Sequence, residues 1–538
     1  MSRGMLKMVS WLSIGLLAAV NVALARSLPQ LFVTSDRCLA CHNGLVTPDG
    51  QDVSIGTDWR ASMMAHAAKD PYWQASVRRE SLDHPDAAAD IEDECAACHM
   101  PMARYLAKAG GQKGMVFAHL PILPAGSRAG RLAEDGVSCT MCHQIGSRNL
   151  GTADSFTAGF VVDTTSRLGE RPVYGPYDVD EGRRRIMRSA AQMVPTRRSH
   201  VQRSALCGSC HTLYTHTRGA DGRVIGKLPE QVPFLEWRHS AYTQSQSCQS
   251  CHMPRLEDPM AITSVLPKSR SGFSQHVFRG GNFLMPRIFN RNRSELGVTA
   301  LPGELAHASR QTANHLETRS ARLEIRRADA TAGRLAIEVA IVNLAGHKLP
   351  TAYPSRRAWL HLTVTDRSGA TVFESGALNP DGSIQGNDND RHRDRYEPHR
   401  DRIRHPEEVQ IYEAVMVDPE DNVTTGLLTA IRFKKDNRLL PRGFDKSAAQ
   451  DDIAVQGAAV RDADFAGGGD AVHYTVDIAR LKGPFTIRAA LWYQPIGFRW
   501  AHNLARQKAP EIDRFVAYFE AISDQSGHIL ATDTRTTD

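Results

Sequence analysis

The chain has 538 residues, a formal net charge of +6 and a hydrophobic content of 41%. This hydrophobic content is ordinary, so the chain can bury a real core, and its length suggests two or three domains. The small positive charge does not indicate nucleic-acid binding.

Residues 1–25 have the pattern of a secretory signal peptide. Arg3 and Lys7 form a basic start, an apolar run follows, and Ala23-Leu24-Ala25 fits an A-x-A cleavage site. The apolar run is shorter than the ~20 residues of a spanning helix. An uncleaved N-terminal anchor is the alternative. Both interpretations predict an exported protein, periplasmic or extracellular, and no later segment is apolar enough to cross a membrane.

The pattern Cys-x-x-Cys-His occurs five times and is numbered here in chain order. Together the five motifs use all ten cysteines of the chain. They are motif 1 (Cys38, Cys41, His42), motif 2 (Cys95, Cys98, His99), motif 3 (Cys139, Cys142, His143), motif 4 (Cys207, Cys210, His211) and motif 5 (Cys248, Cys251, His252).

Cys-x-x-Cys-His is the attachment signature of c-type haem. The two thiols bind one porphyrin covalently, and the adjacent His is the proximal ligand of the iron. A zinc ribbon does not require a His after each second Cys, a thioredoxin-like site has one pair, and a disulfide scaffold is short. The sequence therefore predicts five covalently attached haem c groups. Their roughly ten propionate charges would make the loaded protein acidic.

Residues 27–315 form the predicted haem region. Five motifs in under 300 residues leave too little chain for five separate domains, so the haems must share one core. Short helices and long loops are expected, including helices over 58–69 and 234–240. The stretch 146–199 has many Gly, Arg and turn residues but no motif, and we interpret it as a surface excursion.

Residues 316–538 lack cysteine and contain runs that alternate with a period of two residues. Seven or more short strands suggest an antiparallel β-sandwich. The chain is therefore predicted to be an α+β multidomain protein. The highly charged stretch 387–404 is interpreted as a solvated loop. The strands are predicted at 321–325, 335–341, 359–364, 371–373, 411–415, 428–433, 474–478, 485–491 and 515–519.

The sixth ligand of each iron decides the chemistry. A second His or a Met closes the coordination shell for electron transfer, whereas a vacant position can bind a small substrate. The haem region holds enough additional histidines for five distal ligands, so no vacancy is forced. Methionines such as Met63 are further candidates, with packing the favoured role. The candidate distal ligands are His66, His84, His200, His239, His276 and His347.

His347 lies outside the predicted haem region. It follows Gly346 in a loop between two predicted strands, and Pro350 and Pro354 stiffen that loop. Loops at the end of a sandwich often present functional groups. We therefore expect His347 to ligate one haem while the neighbouring Lys348 pairs with a propionate. A histidine packed under its own loop is the alternative.

The haem region resembles the multihaem cytochromes c related to hydroxylamine oxidoreductase and pentahaem nitrite reductase. The likeness rests on 136–143, which ends in motif 3, and on 59–66. The stretches 346–351 and 436–441 resemble the β-sandwich appended to some of these cytochromes. The resemblance implies stacked haem pairs, mostly with two His ligands. All five motifs here end in His, whereas that nitrite reductase has a Lys-ligated active-site haem, so the family's catalytic residues do not carry over.

The sequence thus predicts an exported pentahaem cytochrome that carries electrons to or from redox partner proteins. Nucleic acid is not expected as a partner. Association with a membrane- or surface-bound redox complex is a further expectation. An oxidoreductase with one open haem, acting on a small nitrogen or sulfur compound, is the first alternative. In the second alternative, the sandwich docks to a partner and the haems form a wire.

Overall fold

The computed structural model describes residues 30–121 and 126–537, so the predicted signal peptide lies outside the described residues. The N-terminal part, up to residue 319, is built from short helices, long loops and small two-stranded ribbons. Its helices are α1 (Asp36–Leu39), α2 (Ile55–Arg60), α3 (Pro71–Asp83), α4 (Ala88–His99), α5 (Pro101–Ala109), α6 (Arg128–Glu134), α7 (Cys139–Cys142), α8 (Glu181–Ala191), α9 (Ser204–Gly208), α10 (Pro233–Arg238), α11 (Cys248–His252), α12 (Leu284–Arg291) and α13 (Pro302–Arg319).

Three two-stranded ribbons connect these helices. The first ribbon is parallel and the other two are antiparallel. Their strands are β1 (Pro172–Gly175) with β2 (Val194–Arg197), β3 (Leu213–Arg218) with β4 (Val224–Gln231), and β5 (Met260–Ala261) with β6 (Ser269–Arg270).

The C-terminal part contains two main sheets and a smaller three-stranded one, with three helices between strands. Its strands are β7 (Ala321–Thr331), β8 (Arg334–Asn343), β9 (Arg357–Thr365), β10 (Thr371–Ser375), β11 (Arg402–Ile403), β12 (Ile411–Tyr412), β13 (Ala414–Val417), β14 (Val423–Thr424), β15 (Arg432–Asp436), β16 (Gly469–Asp477), β17 (Phe485–Gln494) and β18 (His528–Thr537). Its helices are α14 (Asp388–Arg391), α15 (Phe498–Leu504) and α16 (Pro510–Glu520).

The two main sheets are largely antiparallel. One has the order β10-β9-β17-β18, with β12 also paired to β9, and the other has the order β11-β16-β8-β7. Side chains from both sheets, including Val339, Leu362 and Ile487, belong to one buried core. The same core includes Leu284 and Ile288 of α12. The predicted haem region and the sheets therefore share one buried core across the predicted boundary at residue 316. Helices with antiparallel sheets agree with the predicted α+β class.

The predicted helix over 58–69 is wrong for most of its length. The helix α2 spans Ile55–Arg60, and the chain then runs through turns. The carbonyl of Met64 accepts from the amide of Val137 at 3.0 Å, and that of Ala67 accepts from the ring of His99 at 2.9 Å. Tertiary partners thus take carbonyl groups that a continuing helix would use itself.

The predicted strand at 515–519 is also wrong, because this segment belongs to the helix α16. Pro510 starts the helix, and Ile512, Phe515 and Phe519 are buried on one of its faces. The ring centre of Phe515 lies 4.9 Å from that of Tyr72 on α3, so the helix packs against the haem region.

The charged stretch 387–404 is a solvated loop only in part. Residues 391–395 are exposed, as predicted, whereas Asn387, Glu397 and Ile403 are at most 1% exposed. Arg357 binds Asp390 at 2.8 Å in a buried ion pair. The sequence pattern could not distinguish the charges that are paired inside the protein from those that face solvent.

Candidate functional site

The five motifs form short helical turns with both cysteines on one face. In motif 1 the amide of His42 donates to the carbonyl of Cys38 at 3.0 Å. In motif 4 the amide of His211 donates to the carbonyl of Cys207 at 2.9 Å. Residues three apart in such a turn lie side by side, which is the arrangement that two attachments to one porphyrin require.

The motifs are neighbours in space, although they are far apart in sequence. Cys38 of motif 1 lies beside Cys139 of motif 3. Cys98 of motif 2 lies beside Cys210 of motif 4. Motif 4 also adjoins motif 5, through Cys207 and Cys248, and lies close to Cys142 of motif 3. The motifs therefore form one connected series, in which motif 4 adjoins motifs 2 and 5 and lies close to motif 3.

A single cavity of about 700 Å³ connects four of the motifs. Cysteines and histidines of motifs 1–4 line it, and the side chains between them are mostly apolar or aromatic. Residues of the stretch 146–199, such as Val173 and Ile186, also line this cavity, so the stretch is not merely a surface excursion. An apolar cavity that joins attachment motifs fits a set of closely packed porphyrins.

Four of the five proximal histidines are oriented by backbone carbonyl groups. Nδ1 of His42 lies 2.6 Å from the carbonyl oxygen of Ile262, and Nδ1 of His143 lies 2.6 Å from that of Tyr174. His99 bonds in the same way to Ala67, and His252 to Arg279. With Nδ1 donating, Nε2 carries the free lone pair that binds iron. These residues therefore fit the haem that their motifs predict.

His276 faces the proximal histidine of motif 3. The ring centres of His143 and His276 are 6.3 Å apart, with the rings 21° from parallel. Two imidazoles bound to opposite sides of one iron at ~2 Å would have ring centres ~6.3 Å apart. Nδ1 of His276 lies 3.1 Å from the carbonyl oxygen of Ser274. Burial lowers the pKa of His276 to about 3, so the ring is neutral, as an iron ligand must be.

His347 faces the proximal histidine of motif 5. The ring centres of His252 and His347 are 6.2 Å apart, with the rings 12° from parallel. Nδ1 of His347 lies 2.9 Å from the carbonyl oxygen of Lys348. His315 on α13 is also 6.3 Å from His252, but its ring is inclined by 46°. Both spacings match a pair of axial ligands, but within the described residues only His347 has a hydrogen bond that orients its ring.

The other candidate distal ligands are placed differently. Nε2 of His84 lies 3.3 Å from the hydroxyl of Thr429, and Nε2 of His200 and of His239 lie 2.8 and 2.9 Å from backbone carbonyl oxygens. His66 is 2% exposed, and neither of its ring nitrogens has a hydrogen-bond partner in the described residues. For these four histidines, the role of distal ligand stays a prediction.

Motifs 1, 2 and 4 have no second imidazole at this spacing among the described residues. The nearest aromatic ring to His99 is that of Trp73, stacked at 4.3 Å and 4° from parallel.

His315 has no sequence feature that distinguishes it from other surface-helix histidines, so sequence reasoning did not single it out. A helix of ordinary amphipathic pattern brings it to the site.

A buried ionic network holds the loop that carries His347. Lys348 is 0% exposed, and its ammonium lies 2.6 Å from Asp436. Arg438 binds the same carboxylate through two bonds of 2.8 and 2.7 Å, and binds Glu236 of α10 at 3.0 Å. The amide of Lys348 donates to Glu236 at 3.1 Å. Lys348 is thus paired inside the protein, not free to meet a propionate as expected, and the network ties the loop to the haem region.

A polar cluster in the sheets does not fit a metal ion. His399, Asp462 and Asp470 bring three ligand atoms together. However, Nδ1 of His399 accepts from the side-chain amides of Gln410 at 2.8 Å and Asn437 at 3.0 Å. Nε2 must therefore carry the proton and donate to Asp462 at 2.8 Å, which leaves no lone pair for a metal.

The fold and the five motifs, four of which line one cavity, have the arrangement of a multihaem c-type cytochrome. The chain is similar to the crystal structure of a penta-haem cytochrome c552 from Thermochromatium tepidum, with a TM-score of 0.54 and 17% identity. The match covers 95% of this chain and 100% of the other. At this identity the likeness shows a shared fold. No family model matches the sequence, and no curated protein matches it.

None of the helices in the described ranges is long and apolar enough to cross a membrane.

Proposed function

We propose that the protein is an exported pentahaem c-type cytochrome that carries electrons through closely spaced haems. The observation that carries this proposal is the connected series of motifs. All ten cysteines belong to five attachment motifs, and each motif adjoins another across the core. Haems attached at these positions would have neighbouring edges. The haems supply the redox chemistry, while the chain sets their spacing, axial ligands and burial.

The chain's own residues would keep water and solvent charge away from the irons. Four of the five proximal rings are fixed by backbone carbonyl groups, and apolar side chains line the cavity. His276 and His347 would complete the shells of the haems at motifs 3 and 5. A fixed, closed coordination shell favours electron transfer over substrate binding.

The ligand assignment is tested by His347→Ala and His276→Ala, each with the covalent haem content checked first. We expect one haem per variant to become high-spin in the low-temperature EPR spectrum, while the other four are unchanged. His361→Ala is the matched control, because that ring lies on β9 of the sheets and its Nε2 is 2.9 Å from the Glu374 carboxylate. If all haems of the His347 variant stay low-spin with unaltered potentials, the ligand assignment fails.

An oxidoreductase with an open haem is the second candidate. The observation that favours it is that His42, His99 and His211 lack a second imidazole at ligand spacing in the described residues. The resemblance to the cytochromes related to hydroxylamine oxidoreductase and nitrite reductase belongs to this second proposal. Two results together would support this second candidate. They are a high-spin haem in the wild-type protein and turnover of nitrite or hydroxylamine at enzyme-like rates. We expect little turnover.

A further inference from the structure

The charged side chains that line the haem cavity are sorted by sign along its length. Three of the four acidic ones, Glu80, Glu94 and Glu230, adjoin motif 2. The basic ones lie around motif 1, except Arg356, which lies near motifs 4 and 5. The basic lining residues at the motif 1 end are Arg37, Arg183, Arg255, Lys268 and Arg270.

The cavity opens to solvent at its basic end. The exposed lining residues there are Arg37, Ala190, Arg255, Val265 and Lys268. The loop that contains Val265 is held to motif 1, because the amide of Ser264 donates to the carbonyl of Cys41 at 2.9 Å. At the acidic end, by contrast, Glu80 and Glu230 are 3% and 7% exposed. Of the four motifs that line the cavity, motif 1 therefore lies at the end that solvent, and hence a second protein, can reach.

The helix α8 forms one wall of this opening and is amphipathic. Ile186, Met187 and Ala190 face the cavity. The opposite face carries Arg184, Arg185 and Arg188, whose side chains do not line the cavity. Haem propionates could neutralise basic residues that line the cavity. They could not neutralise the outward arginines in the same way.

The outward arginines are only partly balanced by acids. Arg185 and Arg184 share one carboxylate, Glu181, at 3.1 and 3.9 Å. Arg188 has no ion pair within the described part of the chain. An exposed apolar pair, Val265 at 39% and Leu266 at 55%, is held to the same helix, because Arg183 of α8 donates to the carbonyl of Leu266 at 2.9 Å. An exposed apolar pair next to an unbalanced basic helix is suited to brief contact with an acidic surface.

We propose that this surface is the docking site for an acidic redox protein, which exchanges electrons with the haem of motif 1. We name it the α8 face and define it by Arg184, Arg185, Arg188, Val265 and Leu266. The proposal rests on the proposed electron-transfer function and adds the place and the charge of the partner. Attraction between opposite charges would raise the association rate, and added salt would lower it.

The experiment uses a reduced plant-type [2Fe–2S] ferredoxin as the acidic probe, mixed with the oxidised full-length protein in a stopped-flow instrument. The probe gives up one electron and the protein gains it, with no bond made or broken. We expect the triple variant Arg184→Gln/Arg185→Gln/Arg188→Gln to lower the second-order rate at low salt about tenfold. We also expect the rate of the variant to depend less on salt than that of the wild type.

The matched control removes the same charge elsewhere. Arg322, Arg326 and Arg327 are exposed on β7 of the sandwich, so their triple change to Gln alters the net charge equally. We expect its rate to stay within twofold of wild type. Equal losses in both triple variants, or no loss in the α8 variant, would overturn the proposal. Single variants at Arg185 and Arg188 give the same answer if the triple variant folds poorly, with graded losses expected.

Haem content and an equilibrium reductive titration of each variant separate this proposal from the one it rests on. A protein without five reducible haems would contradict the electron-transfer function itself. Five reducible haems with unchanged potentials, but no loss of rate in the α8 variant, would contradict the docking site alone. Faster reduction of the wild type by a basic monohaem cytochrome c than by the acidic probe, at low salt, would also overturn it.

Discussion

Replacing Asp436 by Asn should destabilise the protein strongly. The Asp436 carboxylate is 2% exposed and binds both the Lys348 ammonium, at 2.6 Å, and the Arg438 guanidinium. The neutral amide keeps the size of the side chain but leaves two buried cations with less compensation. Breaking a buried ion pair costs about 3–5 kcal/mol. A unit of about 200 residues loses roughly 2–4 °C of Tm per kcal/mol, so we expect a decrease of roughly 6–20 °C.

The matched control is Asp421→Asn. Asp421 also pairs with one Arg and one Lys, Arg432 and Lys434, but its side chain is 47% exposed. Exposed ion pairs contribute about 0–1 kcal/mol, so the control should lose little. Denaturant unfolding monitored by far-UV circular dichroism measures both variants at equal haem content. Equal losses in the two variants, or a loss below about 1 kcal/mol for Asp436→Asn, would refute the reasoning, since burial is what distinguishes the two sites.

The pH dependence of this site has a definite sign. Two buried cations, Arg438 and Lys348, hold the pKa of Asp436 well below its usual 3.8, against the effect of burial. A lowered folded-state pKa stabilises the protein above the unfolded-state pKa. The stabilisation by Asp436 should therefore be complete at neutral pH and be lost only as the pH falls below 3.8, whereas Asp436→Asn should show no such loss.

Three further predictions follow from other parts of the chain. The intact mass after acid–acetone extraction should still include five haem additions, because every cysteine lies in an attachment motif, and four or fewer would contradict the assignment. Burial raises the pKa of Asp470 from 3.8 to about 7, so wild-type stability should fall as pH rises through that range, by at most ~1.4 kcal/mol per pH unit, and Asp470→Asn should remove this slope in urea titrations at several pH values. Gly208→Ala should lower the free energy of unfolding by about 1–3 kcal/mol, since the added Cβ would lie 2.7 Å from the ring of Phe234. Gly303→Ala in α13 should raise it by about 0.4–1 kcal/mol, since the added Cβ would meet no atom within 4 Å. Thermal unfolding measures both changes.

The sequence alone was enough to predict the covalent chemistry. Attachment of haem depends on residues within one five-residue motif, so its signal is local and does not need the fold. Long alternating runs also predicted most strands of the two main sheets, such as β8, β9 and β17, because a half-buried strand must alternate its side chains. The loop position of His347, between β8 and β9, followed from the same pattern.

Tertiary structure decided the contacts that join distant segments. The pairing of His143 with His276 and of His252 with His347 joins residues that are about 95–135 positions apart in the sequence, and no local pattern encodes such pairs. The segment 515–519 becomes a helix because its apolar residues pack against α3, and Asp390 within 387–404 is buried because its partner, Arg357, lies on β9. Local patterns report which faces are apolar or charged, whereas the choice of partner depends on packing and charge compensation across the whole chain.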